Sequence, residues 1–169
     1  RRLVVGMELG YPPFEMKNER GEPAGVSVDL AHALAQALNR ELIIENIAFD
    51  GLIPALKTGR IDLILSSLTR TEERAQSVDF SQTYLETGLC LLIAKDSTAL
   101  SITNLDQAGR RVAVKKGTTG HTYASQYLKA ADLLVLDQEA AAVLEVAQGK
   151  ADAFIYDQLS VYRHWHRHQ

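Results

Sequence analysis

Apolar positions along the chain alternate between two rhythms, short continuous runs and a spacing of three and four residues. The runs Leu3-Val4-Val5, Leu42-Ile43-Ile44 and Leu63-Ile64 read as buried strands, and so do 89–94, 111–114, 133–136 and 153–156. Between them, Val28 to Leu38 has helical spacing, with Leu30, Leu34 and Leu38 expected on one buried face among many alanines. Further helices are expected from Leu52 up to a close at Gly59, after Gly120, and across Glu139 to Gln148. Strands that alternate with helices predict an α/β chain, βαβαβ in its first half, with largely parallel sheets in both halves.

The pattern also repeats. Leu52-Ile53-Pro54-Ala55-Leu56-Lys57-Thr58-Gly59-Arg60-Ile61-Asp62-Leu63-Ile64 returns ninety residues later as the stretch from Ala142 to Phe154. Each copy reads as a helix closed by a glycine, a basic residue and a short apolar strand. The same offset sets Ser66-Ser67 against Tyr156-Asp157, polar residues at the carboxyl end of a strand, where open α/β sheets bind ligands. Two lobes are expected, residues 1–86 and 87–169, with the crossing in the polar, aromatic stretch after Val78 and a small polar molecule in the cleft between them. The prolines of Tyr11-Pro12-Pro13-Phe14 forbid helix and make a rigid loop after the first strand.

Composition narrows the function. A chain of 169 residues, 46% hydrophobic and 23% charged, can bury a sizeable core. Its net charge of -3 and lack of a basic run argue against nucleic acid or an anionic membrane as partner. No apolar run reaches membrane-spanning length and no signal-peptide core opens the sequence, so the chain is cytoplasmic or has lost a signal. Cys90 is the only cysteine; within Leu89-Cys90-Leu91-Leu92-Ile93 it is expected to be a buried core residue. His164, His166 and His168 diverge around a helix and are expected at a solvated helix end, with no metal and no cofactor. His121 is expected on the surface, and Gly117-Thr118-Thr119-Gly120 lacks the Gly-Lys-Ser/Thr ending of a nucleotide loop.

The strongest chemical signal is Ser66-Ser67-Leu68-Thr69-Arg70-Thr71-Glu72-Glu73-Arg74. Two hydroxyls leave a buried strand, Thr71 caps an acidic first turn, and Arg74 can grip a carboxylate through two parallel hydrogen bonds. Together with Gly6, Tyr11-Pro12-Pro13-Phe14, Phe49-Asp50-Gly51-Leu52, Val78-Asp79-Phe80-Ser81, Tyr84, Gly117-Thr118-Thr119 and Asp157, this order resembles the polar-amino-acid substrate-binding proteins of bacterial ABC importers over nearly the whole chain.

The resemblance implies an α/β, two-lobed periplasmic-binding-protein-like fold, each lobe a mostly parallel doubly wound sheet, that binds an L-α-amino acid reversibly. Arg74 would hold the α-carboxylate, helped by Thr119 and by the Ser67 and Thr69 positions, Asp157 would take the α-ammonium while also capping the last helix, and Ser66, Leu68 and Thr118 are further ligand-binding positions. Tyr11 and Phe49 would sandwich the ligand stem, with Phe14 in the core. Glu8 and Lys115 would select the side chain: paired, they leave capacity for a neutral ligand such as glutamine, whereas Glu8 alone favours arginine. Glutamine is expected over arginine. The implied partner is the membrane permease of an importer, and the implied location is periplasmic or extracellular with a lipid anchor. Two alternatives stay open, a dehydratase on the same fold with Glu8 as general acid, and an amino-acid sensor domain of a receptor. Relatives of this kind continue past the helix after Asp157 and return to lobe one, so the chain is expected to be C-terminally incomplete, with weakened closure or with an oligomer or element swap covering the gap.

Overall fold

The computed structural model describes residues Arg1 to His168, and they form two compact units, Arg1–Tyr84 and the residues from Leu85 onward. In the first unit β1 (Arg2–Met7) is central, flanked in parallel by β4 (Glu41–Asn46) and β5 (Leu63–Ile64). A small antiparallel pair, β2 (Met16–Lys17) and β3 (Pro23–Ala24), lies between β1 and helix α1 (Val26–Ala37) in the chain.

Helices lie on opposite faces of β1 because its side chains alternate. Leu3, Val5 and Met7 pack with Val28, Ala31 and Ala35 of α1, while Gly6 lies against Leu52 and Ile61 beside α2 (Leu52–Lys57). The face of α1 differs from the expected one. Leu30, Leu34 and Leu38 are 43%, 36% and 50% exposed, and the buried stripe is Ser27, Val28, Ala31 and Ala35. Val28 and Leu30 lie about 200° apart around the axis, and the small alanines let the helix approach the sheet where a leucine stripe would hold it off.

In the second unit the strand order is β6 (Leu89–Ile93), β9 (Ala153–Asp157), β7 (Arg111–Lys115), β8 (Asp132–Leu136). Strands β7, β8 and β9 are parallel and β6 runs antiparallel to β9, with Leu89 opposite Asp157. Three of the four strands are parallel, as the alternation of elements predicts, and the antiparallel direction of β6 is a detail that alternation does not encode. Val112, Val114, Ala153 and Ile155 pack with Leu105 of α4 (Ile102–Leu105) and with Ala124 and Leu128 of α5 (Thr119–Tyr127) or its end. The alternate residues Ala113, Phe154 and Tyr156 are also buried, and α6 (Glu139–Ala147) covers the sheet on that side with α7 (Gln158–Arg167).

Two sequence expectations are corrected here. Cys90 is exposed, not core: β6 is an edge strand, and the cysteine lines an open apolar groove with Leu159, Val161, Tyr162 and Trp165. His164 is buried at 8% exposure, with Nε2 2.7 Å from Glu139 Oε1. The helical spacing of the histidines was right, and it turns one of the three inward.

The internal echo proves to be a shared piece of chemistry. Gly59 and Gly149 have φ of +72° and +70°, the left-handed backbone that a side chain disfavours. Arg60 N donates to Ala55 O and Lys150 N to Glu145 O, at 3.0 and 2.9 Å, which closes both helices in the same way. The aspartate that follows each closure clasps the neighbouring strand. Asp62 N donates to Val4 O while Asp62 Oδ2 accepts from Val4 N; Asp152 N donates to Arg111 O while Asp152 Oδ2 accepts from Arg111 N.

Candidate functional site

The carboxyl ends of three parallel strands converge in the first unit. Glu8 follows β1, Phe49 lies in a short 3-10 turn after β4, and Ser66 and Ser67 follow β5. Glu8 N donates to the buried Ser66 Oγ at 2.9 Å, Glu8 Oε2 accepts from Phe49 N at 2.9 Å, and Leu9 N donates to Asn46 Oδ1 at 3.0 Å. Three strand ends are thus cross-linked by side chains. Glu8 and Ser66 take part in this brace, a role that their residue types alone did not reveal.

Arg74 sits on α3 (Glu72–Ala75), whose N-terminus Thr71 caps by accepting from Arg74 N at 3.1 Å. Its Nη1 donates to Thr69 O at 2.8 Å, and the guanidinium lies 5.6 Å from the centre of the Phe49 ring. A planar cation over an aromatic face is an attractive arrangement that also fixes the fork. Burial pushes the Arg74 guanidinium below its ordinary pKa, against the raising influence of Glu73. An anion placed beside it would relieve that desolvation.

The stretch 66–69 is held at three points, by Ser66 Oγ, by Ser67 Oγ and by Thr69 O. Ser67 has φ of +52°, and among the described residues the amides of Ser67, Leu68 and Thr69 find no acceptor. Tyr11 and Phe14 are both half-buried, with rings stacked at 5.5 Å and 16°, so Phe14 is a neighbour of Tyr11 rather than a fully buried core residue. The sequence reading missed Glu15 and Ser27. Glu15 is 0% exposed, and its Oε2 accepts from Ser27 Oγ at 2.6 Å and from Ser67 Oγ at 3.1 Å. The one hint was a carboxylate between the apolar Phe14 and Met16.

The second unit holds the other sequence-derived candidates. Lys115 ends β7 and is only 2% exposed, unlike the usual solvated lysine. Thr118 Oγ1 donates to Lys115 O at 2.7 Å and accepts from His121 N at 3.3 Å, capping α5, and Thr119 begins that helix. His121 is half-buried, and its Nδ1 accepts from Gly117 N at 3.2 Å. Asp157 ends β9 and caps α7, its Oδ1 accepting from Leu159 N and Ser160 N at 3.0 and 3.3 Å. Among the described residues no group of three His, Cys, Asp or Glu side chains could hold a metal ion, and no helix is long and apolar enough to cross a membrane.

Residues 3–157 match the family model of the bacterial extracellular solute-binding proteins, family 3. The chain is 36% identical over 159 residues to the L-arginine-binding protein of Pseudomonas aeruginosa, a match covering 93% of this chain and 61% of that protein. It therefore spans about three fifths of the length of that curated relative. Among solved structures, an ancestral arginine-binding protein bound to glutamine superposes with a TM-score of 0.90 at 32% identity, over 98% of this chain and 73% of the other. The ancestral amino acid-binding protein AncCDT-1, a precursor of cyclohexadienyl dehydratase, gives 0.87 at 37% identity, over 92% and 70%. With a family match over nearly its whole length and the strand-end chemistry described above, the chain belongs to the bacterial extracellular solute-binding proteins, family 3.

Proposed function

We propose that this protein binds a polar L-α-amino acid reversibly, without turnover, for delivery to the membrane permease of an ABC importer in the periplasm or at the cell surface. The observation that carries the reading is the environment of Arg74. A partly desolvated guanidinium, oriented by Thr69 O and the Phe49 ring, lies next to a loop whose amides are available to an acceptor. A carboxylate suits this arrangement, since it can take a guanidinium's bidentate fork and accept from backbone N–H groups. Asp157 is assigned to the ligand ammonium and Tyr11 and Phe49 to its aliphatic stem. These roles rest on the resemblance in sequence.

For the side chain we propose glutamine ahead of arginine. Glu8 Oε2 already accepts from Phe49 N, and this draws on the negative charge that a cationic ligand would use. The arginine-binding relatives make arginine the competing ligand, and a structure of one such protein with glutamine supports a site that accommodates both. Isothermal titration of the full chain with the twenty amino acids tests the reading. Saturable binding of glutamine, tighter than that of arginine, is expected. Binding of no amino acid would overturn the function, tighter arginine binding would reverse the preference, and conversion of a cyclohexadienyl carboxylate would establish an enzyme instead.

A further inference from the structure

We propose that Glu15 is a positioning residue for the carboxylate-binding loop, acting through Ser67; this rests on the amino-acid-binding reading above. Ser67 holds a left-handed backbone at φ +52°, a conformation that a residue with a side chain adopts only when its surroundings enforce it. The enforcing contact is a hydrogen bond to a buried side chain. Ser67 Oγ donates to Glu15 Oε2 at 3.1 Å, the carboxylate oxygen that also accepts from Ser27 Oγ at 2.6 Å.

Glu15 is suited to this because it is itself immobile. Its side chain is fully buried, its N–H donates to Tyr11 O at 3.0 Å, and its carbonyl accepts from Tyr11 N at 2.8 Å, so it closes the rigid proline loop. Ser27 lies in the first turn of α1, which is tied to the same loop: Val26 N donates to Pro13 O and Ser27 N to Phe14 O, at 3.2 and 2.8 Å. The carboxylate thus refers the dihedral of Ser67 to the proline loop and the N-terminus of α1. Beyond Ser67, the amides of Leu68 and Thr69 stay unpaired among the described residues. Glu15 touches no ligand in this role; it sets the loop that does.

The test uses the full chain with Glu15→Met, which fills similar volume and removes the acceptor, Glu15→Gln, which keeps a carbonyl acceptor, and Glu15→Met combined with Ser67→Gly. Glycine adopts positive φ without strain. The readouts are the φ of Ser67 in the unliganded protein, from NMR couplings and shifts, and the affinity for L-glutamine by calorimetry. Glu15→Met should move Ser67 out of the left-handed region and weaken glutamine about tenfold, the size of a lost buried hydrogen bond. Glu15→Gln should lose less, and adding Ser67→Gly to Glu15→Met should restore most of the affinity, a rescue that a packing role would not give. Ser67 staying at positive φ in Glu15→Met, or no recovery with glycine, overturns the proposal. Should Glu15→Met not fold, Ser67→Ala breaks the same contact from the other side and is read by the same φ. A wild-type chain that binds no amino acid would defeat the proposed function alone, and the φ of Ser67 would still decide the role of Glu15.

Discussion

Arg74 is the residue on which the proposed binding turns. Burial lowers its pKa, and under the proposed function a ligand carboxylate beside the guanidinium would offset part of that desolvation. Arg74→Ala is expected to weaken amino-acid binding by about 2–5 kcal/mol, the range for truncating one partner of a desolvated charge pair. Arg74→Lys should recover only part of this, since a lysine offers neither the planar fork nor the stacking on Phe49; calorimetry on both variants checks the order. Asp157→Ala should weaken binding similarly and also cost about 1 kcal/mol of stability from the lost α7 cap, measured by urea unfolding. Much of this was legible in the sequence at the level of residue type. Arg74 after Thr71-Glu72-Glu73 reads directly as a capped helix bearing a cation, and the structure has that cap. Contacts between residues distant in sequence left no local trace. Nothing near Glu8 shows that its amide meets Ser66, 58 positions away, and nothing near Glu15 shows that it meets Ser67, 52 positions away.

At the scale of elements, the repeated closure of helix into strand was visible because it is local chemistry: a glycine, a basic residue and an aspartate within four positions. Gly149→Ala should cost about 1 kcal/mol, the penalty for a side chain at positive φ, read as a shift in the unfolding midpoint. Burial alone would raise the Asp152 carboxyl, but hydrogen bonds from Arg111 N, Arg110 and Ser97 outweigh it and hold the group below the usual carboxylate value. Asp106 is lowered as well, by the amides of Ala130, Ala131 and Lys129. A lowered carboxylate stabilises the fold above its unfolded value, about pH 4, and that contribution fades as pH falls through the folded value. The second unit should therefore lose stability in acid, and Asp152→Asn should flatten that loss while weakening the fold at neutral pH. Helix faces were harder to read than helix positions. The stripe at Leu30, Leu34 and Leu38 satisfied the helical period as well as Val28, Ala31 and Ala35 did, and only the packing distance to the sheet decides between them. His164 taught the same lesson on α7. His164→Ala is expected to cost about 1–3 kcal/mol, because it removes the hydrogen-bond partner nearest to the buried Glu139 carboxyl group.

At the scale of the molecule, among the described residues each unit has a core of its own, one around Leu3, Val5 and Met7 and one around Leu105, Val112 and Ile155. Each should answer to its own substitutions. Met7→Ala and Leu105→Ala should each cost about 2–5 kcal/mol, and calorimetry should register the two losses in separate unfolding transitions. A single transition moved equally by both would show instead that the units unfold together. The matching clasps of Asp62 and Asp152 give this question an internal ruler. Val4 and Arg111 present amide protons held by the same kind of carboxylate in the same local geometry, so hydrogen–deuterium exchange at these two positions differs mainly through how often each unit opens. The chain carries a pair of matched clocks, one in each half.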